Sequence, residues 1–399
     1  MTTSKKTIMQ VLPALNGGGV ERGVIDVSVA AAKAGYESIV ISNGGSMIQQ
    51  FNGTKVKHIK LPLQSKNPFV IYSNIKRIEK IIEDYQVDLI HIRSRAPGWS
   101  AYFAWKNVSK KFPDKVKLIS TVHGSYSLTL FGKGVSQIKL KYNAIMLKPT
   151  FIIAVSNFIK NYIYQNYSAI ENLDSKKIEV IHRGVDLNYF SSSKVPSSRV
   201  VQLAQEWSLP DDKKIIMLPG RITGWKGHEF LISALAKVKS DNFFCIMVGG
   251  THGHEKFAKS LEEKIKQNNL EGKVKMVGNT KDMPSAYLVS DMVISASVRP
   301  EAFGRVAIEA GAMGRIIVAT NIGGSLETVV DGKTGFLVEV NNADRLAQII
   351  DQVLLMPKAQ KEEIEQNATK HIAENFSNQK MIDKTLEVYK TVLSNLILS

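Results

Sequence analysis

The chain has 399 residues, of which 44% are hydrophobic and 22% charged, an ordinary composition for a globular protein. This length predicts two or three domains and excludes a disordered or fibrous chain. The single cysteine, Cys245, excludes a disulfide framework, and its apolar neighbours predict a core residue in a reducing compartment. No apolar run approaches the ~18 residues of a membrane span, and the N-terminus lacks a signal-peptide pattern, so we expect neither span nor export.

Positive charge is concentrated in the first half of the chain. Lys and Arg number 52 against 36 Asp and Glu, a net charge of +16. Residues 1–186 carry 26 basic and 12 acidic residues, whereas residues 187–399 carry 26 and 24. This asymmetry predicts that the first half contacts membrane lipid, an anionic glycan or nucleic acid. A solvated lysine-rich face is the alternative.

In chain order, the first half alternates short apolar strands with helical patterns, such as those of residues 20–34 and 74–85. The strands are continuous runs of Val, Ile and Leu, which is typical of a parallel sheet covered on both faces. The predicted strands are residues 7–12, 38–42, 89–92, 118–122 and 152–155.

The same pattern restarts at residues 213–219, and further strands are predicted at 243–248, 274–277, 292–295 and 316–320. The chain therefore belongs to the α/β class, with two Rossmann-like units. The predicted division is an N-terminal domain at 1–190, a Ser- and Pro-containing linker at 191–212, a second domain at 213–375 and a C-terminal helix at 376–399.

A loop with three glycines, residues 17–19, follows the first predicted strand and precedes a helix. In open α/β sheets ligands bind at the carboxyl ends of the strands, and a helix N-terminus favours an anion. The loop is not a dinucleotide fingerprint, since Arg22 stands where a third glycine is needed, which argues against an NAD enzyme. A tight turn without a ligand is the alternative.

Two later loops also carry polar side chains after strands. His123 stands before Gly124 at the end of a strand, where a binding role is favoured over a structural one. Arg221 and Lys226 lie five residues apart in a glycine-rich loop and suit a diphosphate, although surface charges are the alternative. The spacing is not that of a P-loop.

Two glutamates eight residues apart, Glu301 and Glu309, follow the predicted strand at 292–295. With Glu301 at the entry to a helix, Glu309 is expected about two turns along, on nearly the same face. The backbone amides near Phe303 and Gly304 are then expected to be free donors at the helix N-terminus. Alone, this spacing is weak, but its place after a strand favours a binding role.

Together, these motifs resemble those of the retaining glycosyltransferases of family 4, which have the GT-B fold. The resemblance covers nearly the whole length. It implies two Rossmann-like, doubly wound domains facing across a cleft, with the C-terminal helix crossing back to the first domain. The motifs are Gly17-Gly18-Gly19-Val20-Glu21, Thr121-Val122-His123-Gly124, Val155-Ser156, Val180 to Asp186, Gly220-Arg221 with Lys226-Gly227, Pro300-Glu301-Ala302-Phe303-Gly304 with Glu309, Gly323 to Glu327 and Asp331 to Phe336.

The resemblance also implies roles for individual residues. The chain departs from the family at His182-Arg183, where Pro-Asn is usual, so we expect a different turn there, and Ala302 is a milder change. In the second domain, Arg221 and Lys226 would hold the donor diphosphate, and Glu309 would bind the ribose hydroxyls. The donor sugar would be held by Glu301 with the amides of Ala302, Phe303 and Gly304, and the base would be bordered by Val277, Gly278, Asn279 and Met283. In the first domain, His123 would contact the sugar from the opposite side, and Gly18 and Gly19 would line the diphosphate and the acceptor entrance.

The implied reaction moves a sugar from a UDP or GDP sugar to a lipid-linked or lipopolysaccharide-type acceptor. No carboxylate nucleophile is evident, so we expect attack on the face that the leaving phosphate vacates. The chain contains no Asp-x-Asp pair, so we expect no metal and no cofactor besides the donor. The basic first half would place the enzyme in the cytoplasm, on the inner face of the membrane. Its expected lipid-facing residues are Lys106, Lys110, Lys111, Lys139, Lys141 and Lys148, interleaved with Trp99, Tyr102, Phe103, Trp105 and Tyr142.

Three other hypotheses are compatible with the sequence. An epimerase or a phosphorylase could use the same fold, because fold does not fix function. A basic protein could bind nucleic acid or membrane without catalysis, but no RNA-binding module or helix-turn-helix pattern is evident, so no nucleic-acid partner is expected. A catalytically silent scaffold is the third hypothesis, although Arg221, Lys226, Glu301 and Glu309 are all present.

Overall fold

The computed structural model of the protein describes residues 5–65, 67–126, 128–130 and 133–394. It divides into two compact units. Unit 1 draws on Met1–Arg183 and Gln379–Ser399, and unit 2 is Gly184–Asn378. The boundary predicted at residues 191–212 is therefore too late. That stretch forms a helix, and its Leu203 and Trp207 are buried in the core of unit 2, so it is not a linker.

Unit 1 is built on a seven-stranded parallel sheet, in the order β3-β2-β1-β4-β5-β8-β9. The central strands are buried along their whole length, as expected when helices cover both faces. The order reverses direction between β1 and β4, and this switch point is where ligands bind in such sheets. The strands are β1 Thr7–Val11, β2 Glu37–Ser42, β3 Val56–Lys60, β4 Val87–Ile92, β5 Lys117–Val122, the short pair β6 Thr129–Leu130 and β7 Lys133–Val135, β8 Phe151–Ala154 and β9 Lys177–Val180.

Several helices of unit 1 begin where the local sequence supplies a side-chain cap. Asn67 accepts a hydrogen bond from the Phe69 amide at 2.9 Å, with proline in the first turn, and Ser156 accepts from the Ile159 amide at 3.1 Å. The helices are α1 Gly19–Lys33, α2 Pro68–Asp84, α3 Arg95–Lys111, α4 Gln137–Asn143 and α5 Asn157–Tyr167, with 3₁₀ turns at Ser46–Phe51 and Ala144–Leu147.

Unit 2 is built on a six-stranded parallel sheet, in the order β12-β11-β10-β13-β14-β15. Cys245 is fully buried in β11, as predicted. The strands are β10 Lys214–Pro219, β11 Phe243–Val248, β12 Val274–Gly278, β13 Met292–Ser295, β14 Ile316–Thr320 and β15 Phe336–Val338. The helices are α6 Ser197–Glu206, α7 His228–Leu235, α8 Glu255–Gln267, α9 Met283–Leu288, α10 Arg305–Ala312, α11 Ser325–Thr328, α12 Ala343–Leu354 and α13 Lys358–Asn375, with 3₁₀ turns at Ser192–Lys194 and Gly224–Lys226.

Every strand predicted from the sequence is present, with ends shifted by two residues or fewer. The strands of the two parallel sheets that sequence analysis missed are β3, β9 and β15, each at an edge of its sheet. Edge strands have fewer buried positions and so a weaker apolar pattern, and β3 and β9 contain lysines. The α/β class with two parallel sheets is confirmed.

The last helix, α14 Asn378–Leu393, packs on unit 1. Tyr389 is fully buried, and its hydroxyl lies 2.7 Å from Nδ1 of His91 in β4. The predicted end of this helix, from residue 395 onward, lies outside the described residues. Each helix in the described part of the chain is too short or too polar to cross a membrane.

Candidate active site

The carboxyl ends of five neighbouring strands of unit 2, β10 to β14, and the loops that follow them are joined by backbone hydrogen bonds. This ring of loops contains most of the predicted donor-binding residues. The bonds run from the Ile222 amide to Gly250 O at 3.0 Å, from Gly249 to Gly278 O at 2.8 Å, from Val298 to Trp225 O at 2.9 Å and from Gly324 to Glu301 O at 2.8 Å.

Two glycines allow these loops to approach one another closely. Gly227 has a φ of 76°, and a Cβ there would lie 1.8 Å from the carbonyl oxygen of Ala296. A Cβ on Gly249 would lie 1.9 Å from the carbonyl oxygen of Gly220. A side chain at Gly227 or Gly249 would push the loop that carries Arg221 and Lys226 away from the loop after β13 or the loop after β11.

Lys226 and Glu301 form an ion pair in this ring of loops. The Nζ of Lys226 lies 2.7 Å from Oε1 of Glu301, and each side chain is only 14% exposed. Ser297 donates a second hydrogen bond to the same oxygen. The ammonium group also lies 4.4 Å from the centre of the Trp225 ring. The sequence predicts that both charged groups lie near the donor, but it does not predict the ion pair between them.

Arg221 presents a contrasting cation. Its side chain is exposed, and no carboxylate among the described residues pairs with it. It follows Gly220 at the end of β10 in the same loop as Lys226. A guanidinium group that has no protein partner retains all its donors for a ligand anion.

Glu309 is held by two hydrogen bonds within α10 and α9. The Tyr287 hydroxyl donates to Oε2 at 3.0 Å, and Arg305 donates to Oε1 at 2.5 Å. Burial, reinforced by the nearby Glu309 carboxylate, raises the pKa of Tyr287 well above its usual value, so the hydroxyl remains a donor. Each carboxylate oxygen retains capacity for a further donor.

The expected helical relation between Glu301 and Glu309 is wrong. Helix α10 begins only at Arg305, after Gly304 with a φ of 81°, so Glu301 lies in the preceding loop. The Glu301 backbone pairs instead with Gly323, which follows β14. The two carboxylates are therefore positioned by different elements rather than by one helix face.

The remaining predicted donor residues of unit 2 lie around this ring. Phe303 is buried, packed edge-on against Phe376 with ring centres 5.6 Å apart, while Ala302 is half-buried. Val277 and Gly278 end β12, and Asn279 follows it. Met283 opens α9 after its cap Asp282.

In unit 1, Arg183 links two of the predicted residues, Gly19 and His123. The guanidinium of Arg183 donates to the Gly19 carbonyl and, at 2.7 Å, contacts Nδ1 of His123. The turn at His182-Arg183, where the sequence departs from the family pattern, thus ties the glycine loop to His123. Gly18 has a φ of 126° and is exposed.

The contact with Arg183 also fixes the form of the His123 ring. Arginine only donates, so Nδ1 accepts and the proton resides on Nε2. Burial, with the positive charges of Arg183 and Arg93, lowers the pKa of His123 well below its usual value. His123 is therefore neutral near pH 7, and its Nε2–H has no acceptor among the described residues.

Sequence analysis missed several residues of this arrangement. Ser297 and Tyr287 carry no motif of their own, and they reach the glutamates only through the fold. Arg305 could have been found, since it stands four residues before Glu309, one helical turn away. Arg93 follows β4 directly, and only its burial marks it as unusual.

Two family models match the chain, one in each half. Glycosyltransferase Family 4 matches residues 17–189, and Glycosyl transferases group 1 matches residues 202–371. Together they cover most of both units.

Relatives extend over the whole chain. A solved glycosyltransferase from Rickettsia africae ESF-5 is 40% identical, with a TM-score of 0.86, over 98% of this chain and 100% of that chain. HepE of Anabaena, solved in complex with UDP and glucose, has 22% identity and a TM-score of 0.79 over 97% of this chain and 100% of that chain. The capsular polysaccharide biosynthesis glycosyltransferase CapM of Staphylococcus aureus is 25% identical over 89% of this chain and 90% of its own length. With both family models matched in order and a 40% identical relative along its full length, the chain belongs to the GT-B glycosyltransferases.

Proposed function

We propose that this glycosyltransferase transfers a sugar from a UDP or GDP sugar to a cell-envelope acceptor, with retention of the anomeric configuration. The observation that carries the proposal is the Lys226–Glu301 pair beside exposed Arg221 at the carboxyl end of the unit 2 sheet. HepE, which has the same fold, was solved with UDP and glucose, and this supports a nucleotide-sugar donor.

In the proposed complex, Arg221 and Lys226 hold the donor diphosphate. Arg221 grips phosphate oxygens with its planar fork, and Lys226 acts as a compact charge. Lys226 has three donor hydrogens, so it can contact a phosphate while one hydrogen bond to Glu301 remains. Glu301 prevents the ammonium group from being an uncompensated charge before the donor binds.

The nucleoside and the sugar use the two glutamates. Glu309, oriented by Tyr287 and Arg305, accepts hydrogen bonds from the ribose hydroxyls. Glu301 accepts from the hydroxyls of the sugar, and the N-terminal end of α10, entered through residues 302–304, favours the negative charge of the diphosphate. Residues 277–279 and Met283 border the base.

The reaction requires one bond to break and one to form. The bond between the anomeric carbon and the diphosphate oxygen breaks, leaving positive charge on the sugar and negative charge on the nucleoside diphosphate. Fixed cations stabilise that leaving group without reorganising. The acceptor hydroxyl attacks from the same face, and its proton passes to the departing phosphate oxygen. No carboxylate nucleophile, metal or additional cofactor takes part in this scheme.

The proposed acceptor is a glycan or glycolipid of the envelope, reached at an anionic membrane surface on the cytoplasmic side. Support comes from the capsular function in the name of CapM and from the excess of basic residues in the first half of the chain. Exposed apolar side chains of unit 1, including Phe69 at 84% and Ile138 at 74% exposure, add an apolar contribution to such contact.

Binding and transfer by single-site variants test the donor proposal. We expect UDP or GDP to raise the Tm of the wild type, and Lys226→Ala to lower transfer by about 10²–10³-fold. Glu309→Ala is expected to weaken nucleotide binding at least tenfold, because the ribose loses its acceptor. Lys370→Ala, an exposed lysine of the same unit, is the matched control and should behave as wild type.

The anomeric configuration of the product, read by NMR from a donor of known configuration, tests retention. An inverted product contradicts the same-face scheme. The assignment of the donor site is contradicted if the wild type binds no nucleotide. It is also contradicted if the Lys226→Ala and Glu309→Ala variants bind nucleotide as tightly as the wild type.

A further inference from the structure

Arg93 is a buried arginine that the donor site does not use. It follows β4 directly, at the switch point of the unit 1 sheet, and is only 5% exposed. No carboxylate among the described residues pairs with it, and its Nε has no hydrogen-bond partner. Burying an unpaired charge costs free energy of folding, so we expect a bound anion to neutralise the Arg93 guanidinium.

Arg93 lies beside a second guanidinium. A Cβ added to Gly23 of α1 would lie 3.3 Å from Nη2 of Arg93 and 3.6 Å from Nη1 of Arg183. The two groups therefore approach the same point near the N-terminal end of the fifteen-residue helix α1. Because Gly23 has no side chain, both guanidinium groups can lie close to the backbone of α1.

His123 completes the arrangement. Its Nδ1 is occupied by Arg183, and its Nε2–H is buried without an acceptor among the described residues. Arg93, Arg183 and His123 follow strands β4, β9 and β5, so all three lie at the carboxyl end of one sheet. Together they offer two cations and one neutral N–H donor, and Arg93 has no anionic protein partner among the described residues.

We propose that Arg93, Arg183 and His123 form an anion site, built entirely from unit 1, that binds a phosphate group of the acceptor. Two guanidinium forks and the N-terminal end of a helix suit a tetrahedral oxyanion with several acceptor oxygens. That the phosphate belongs to the acceptor rests on the proposed transfer function, whereas anion binding at Arg93 does not.

The first experiment measures the rise in Tm of the full chain caused by inorganic phosphate, against sodium chloride at equal ionic strength. We expect a rise in the wild type and in Arg77→Met, a control that removes an exposed arginine of the same unit. In Arg93→Met the rise should vanish, while the Tm without phosphate should exceed that of the wild type because the unpaired charge has been removed.

A structural arginine would behave differently: its replacement would lower the Tm and leave the response to phosphate unchanged. That result overturns the proposal. If Arg93→Met does not fold, Arg93→Lys retains the charge without the fork, and we expect it to lose at least half of the phosphate response. A full response from Arg93→Lys then overturns the proposal.

Saturation with UDP separates this site from the donor site. Phosphate should still raise the Tm of the UDP-saturated wild type, and Arg93→Met should bind UDP normally. A phosphate response that disappears under UDP would assign the anion to the donor and overturn the proposal. Failure of UDP to bind would contradict the donor site but leave the phosphate result standing.

The phosphate could belong to a soluble ester or to a lipid. Glycerol 3-phosphate in solution and vesicles containing phosphatidic acid distinguish these sources. A response to either that is lost in Arg93→Met supports the site and identifies the source. A response to neither overturns the assignment to an acceptor phosphate.

Discussion

At the scale of single residues, the two glutamates of the proposed donor site, Glu301 and Glu309, show how local hydrogen-bond partners set the role of a carboxylate. Glu301 shares one oxygen between Lys226 and Ser297, whereas Glu309 divides its two oxygens between Tyr287 and Arg305. Glu309 is therefore fixed in orientation by a fully buried hydroxyl. A carboxylate fixed in this way loses little freedom when it binds a diol.

Tyr287→Phe tests this orientation. The ring still fills its buried place, but Glu309 loses one donor, so we expect UDP to bind about tenfold more weakly, a change of ~1.4 kcal/mol. Isothermal titration calorimetry measures the change. Tyr72→Phe removes the hydroxyl of an exposed tyrosine and should have no effect. Unchanged UDP affinity in Tyr287→Phe would show that this hydroxyl does not prepare Glu309 for the ribose.

At the scale of elements, the expected membrane surface lies mainly on helices α3 and α4 of unit 1, and α2 adjoins α3. Helix α3 meets α2 through a hydrogen bond from Ser100 to the Ile71 carbonyl, and α4 through stacking of Trp99 on Tyr142. The surface differs in part from the expected one. Lys111 and Lys148 are paired with Glu83 and Glu171, and Trp105 donates to the Val116 carbonyl, whereas exposed Phe69, Tyr72 and Ile138 were not foreseen.

Vesicle pelleting tests these helices. Replacing Lys106, Lys110 and Lys141 by Gln should weaken binding to anionic vesicles by about fivefold for each lysine, ~1 kcal/mol apiece, with little change on neutral vesicles. The double variant Phe69→Ser, Tyr72→Ser should weaken binding to both kinds of vesicle. Leu355→Ser, at a 76% exposed leucine of unit 2, is the control. Binding equal on both vesicles and insensitive to salt would remove the electrostatic part of the proposal.

At the scale of the whole molecule, both units bury neutral histidines. His91 and His123 in unit 1 and His228 in unit 2 all have a lowered pKa, with burial as the main cause, and that of His228 falls to about 4. In the unfolded chain a histidine has a pKa of about 6.5. As the pH falls below 6.5, these histidines therefore become protonated in the unfolded state while they stay neutral in the folded state.

The sign of this linkage predicts acid sensitivity. The stabilisation is fully present above pH 6.5 and is lost on acidification, at up to ~1.4 kcal/mol per pH unit for each histidine. We expect the Tm to fall between pH 7.5 and 5.5, a range above the titration of ordinary carboxyl groups. His228→Met should show a shallower fall, and the exposed His252→Asn the same fall as wild type. Equal slopes in all three proteins would refute the assignment to His228.

The sequence by itself determined the two parallel sheets and the loops that carry charge. Runs of Val, Ile and Leu followed by glycine-rich turns are local patterns, so they identified the buried strands and located Arg221, Lys226 and Glu301 after them. Edge strands such as β3 gave a weaker signal, because they owe their conformation to pairing with a neighbour.

The tertiary structure alone decided which side chains meet. Lys226 reaches Glu301 across 75 residues, and Arg183 reaches His123 across 60, so neither contact could be inferred from local spacing. It also decided that Arg93 is buried without a carboxylate among the described residues. Burial and charge pairing depend on residues brought together from distant parts of the chain, and those quantities set the chemistry of each group.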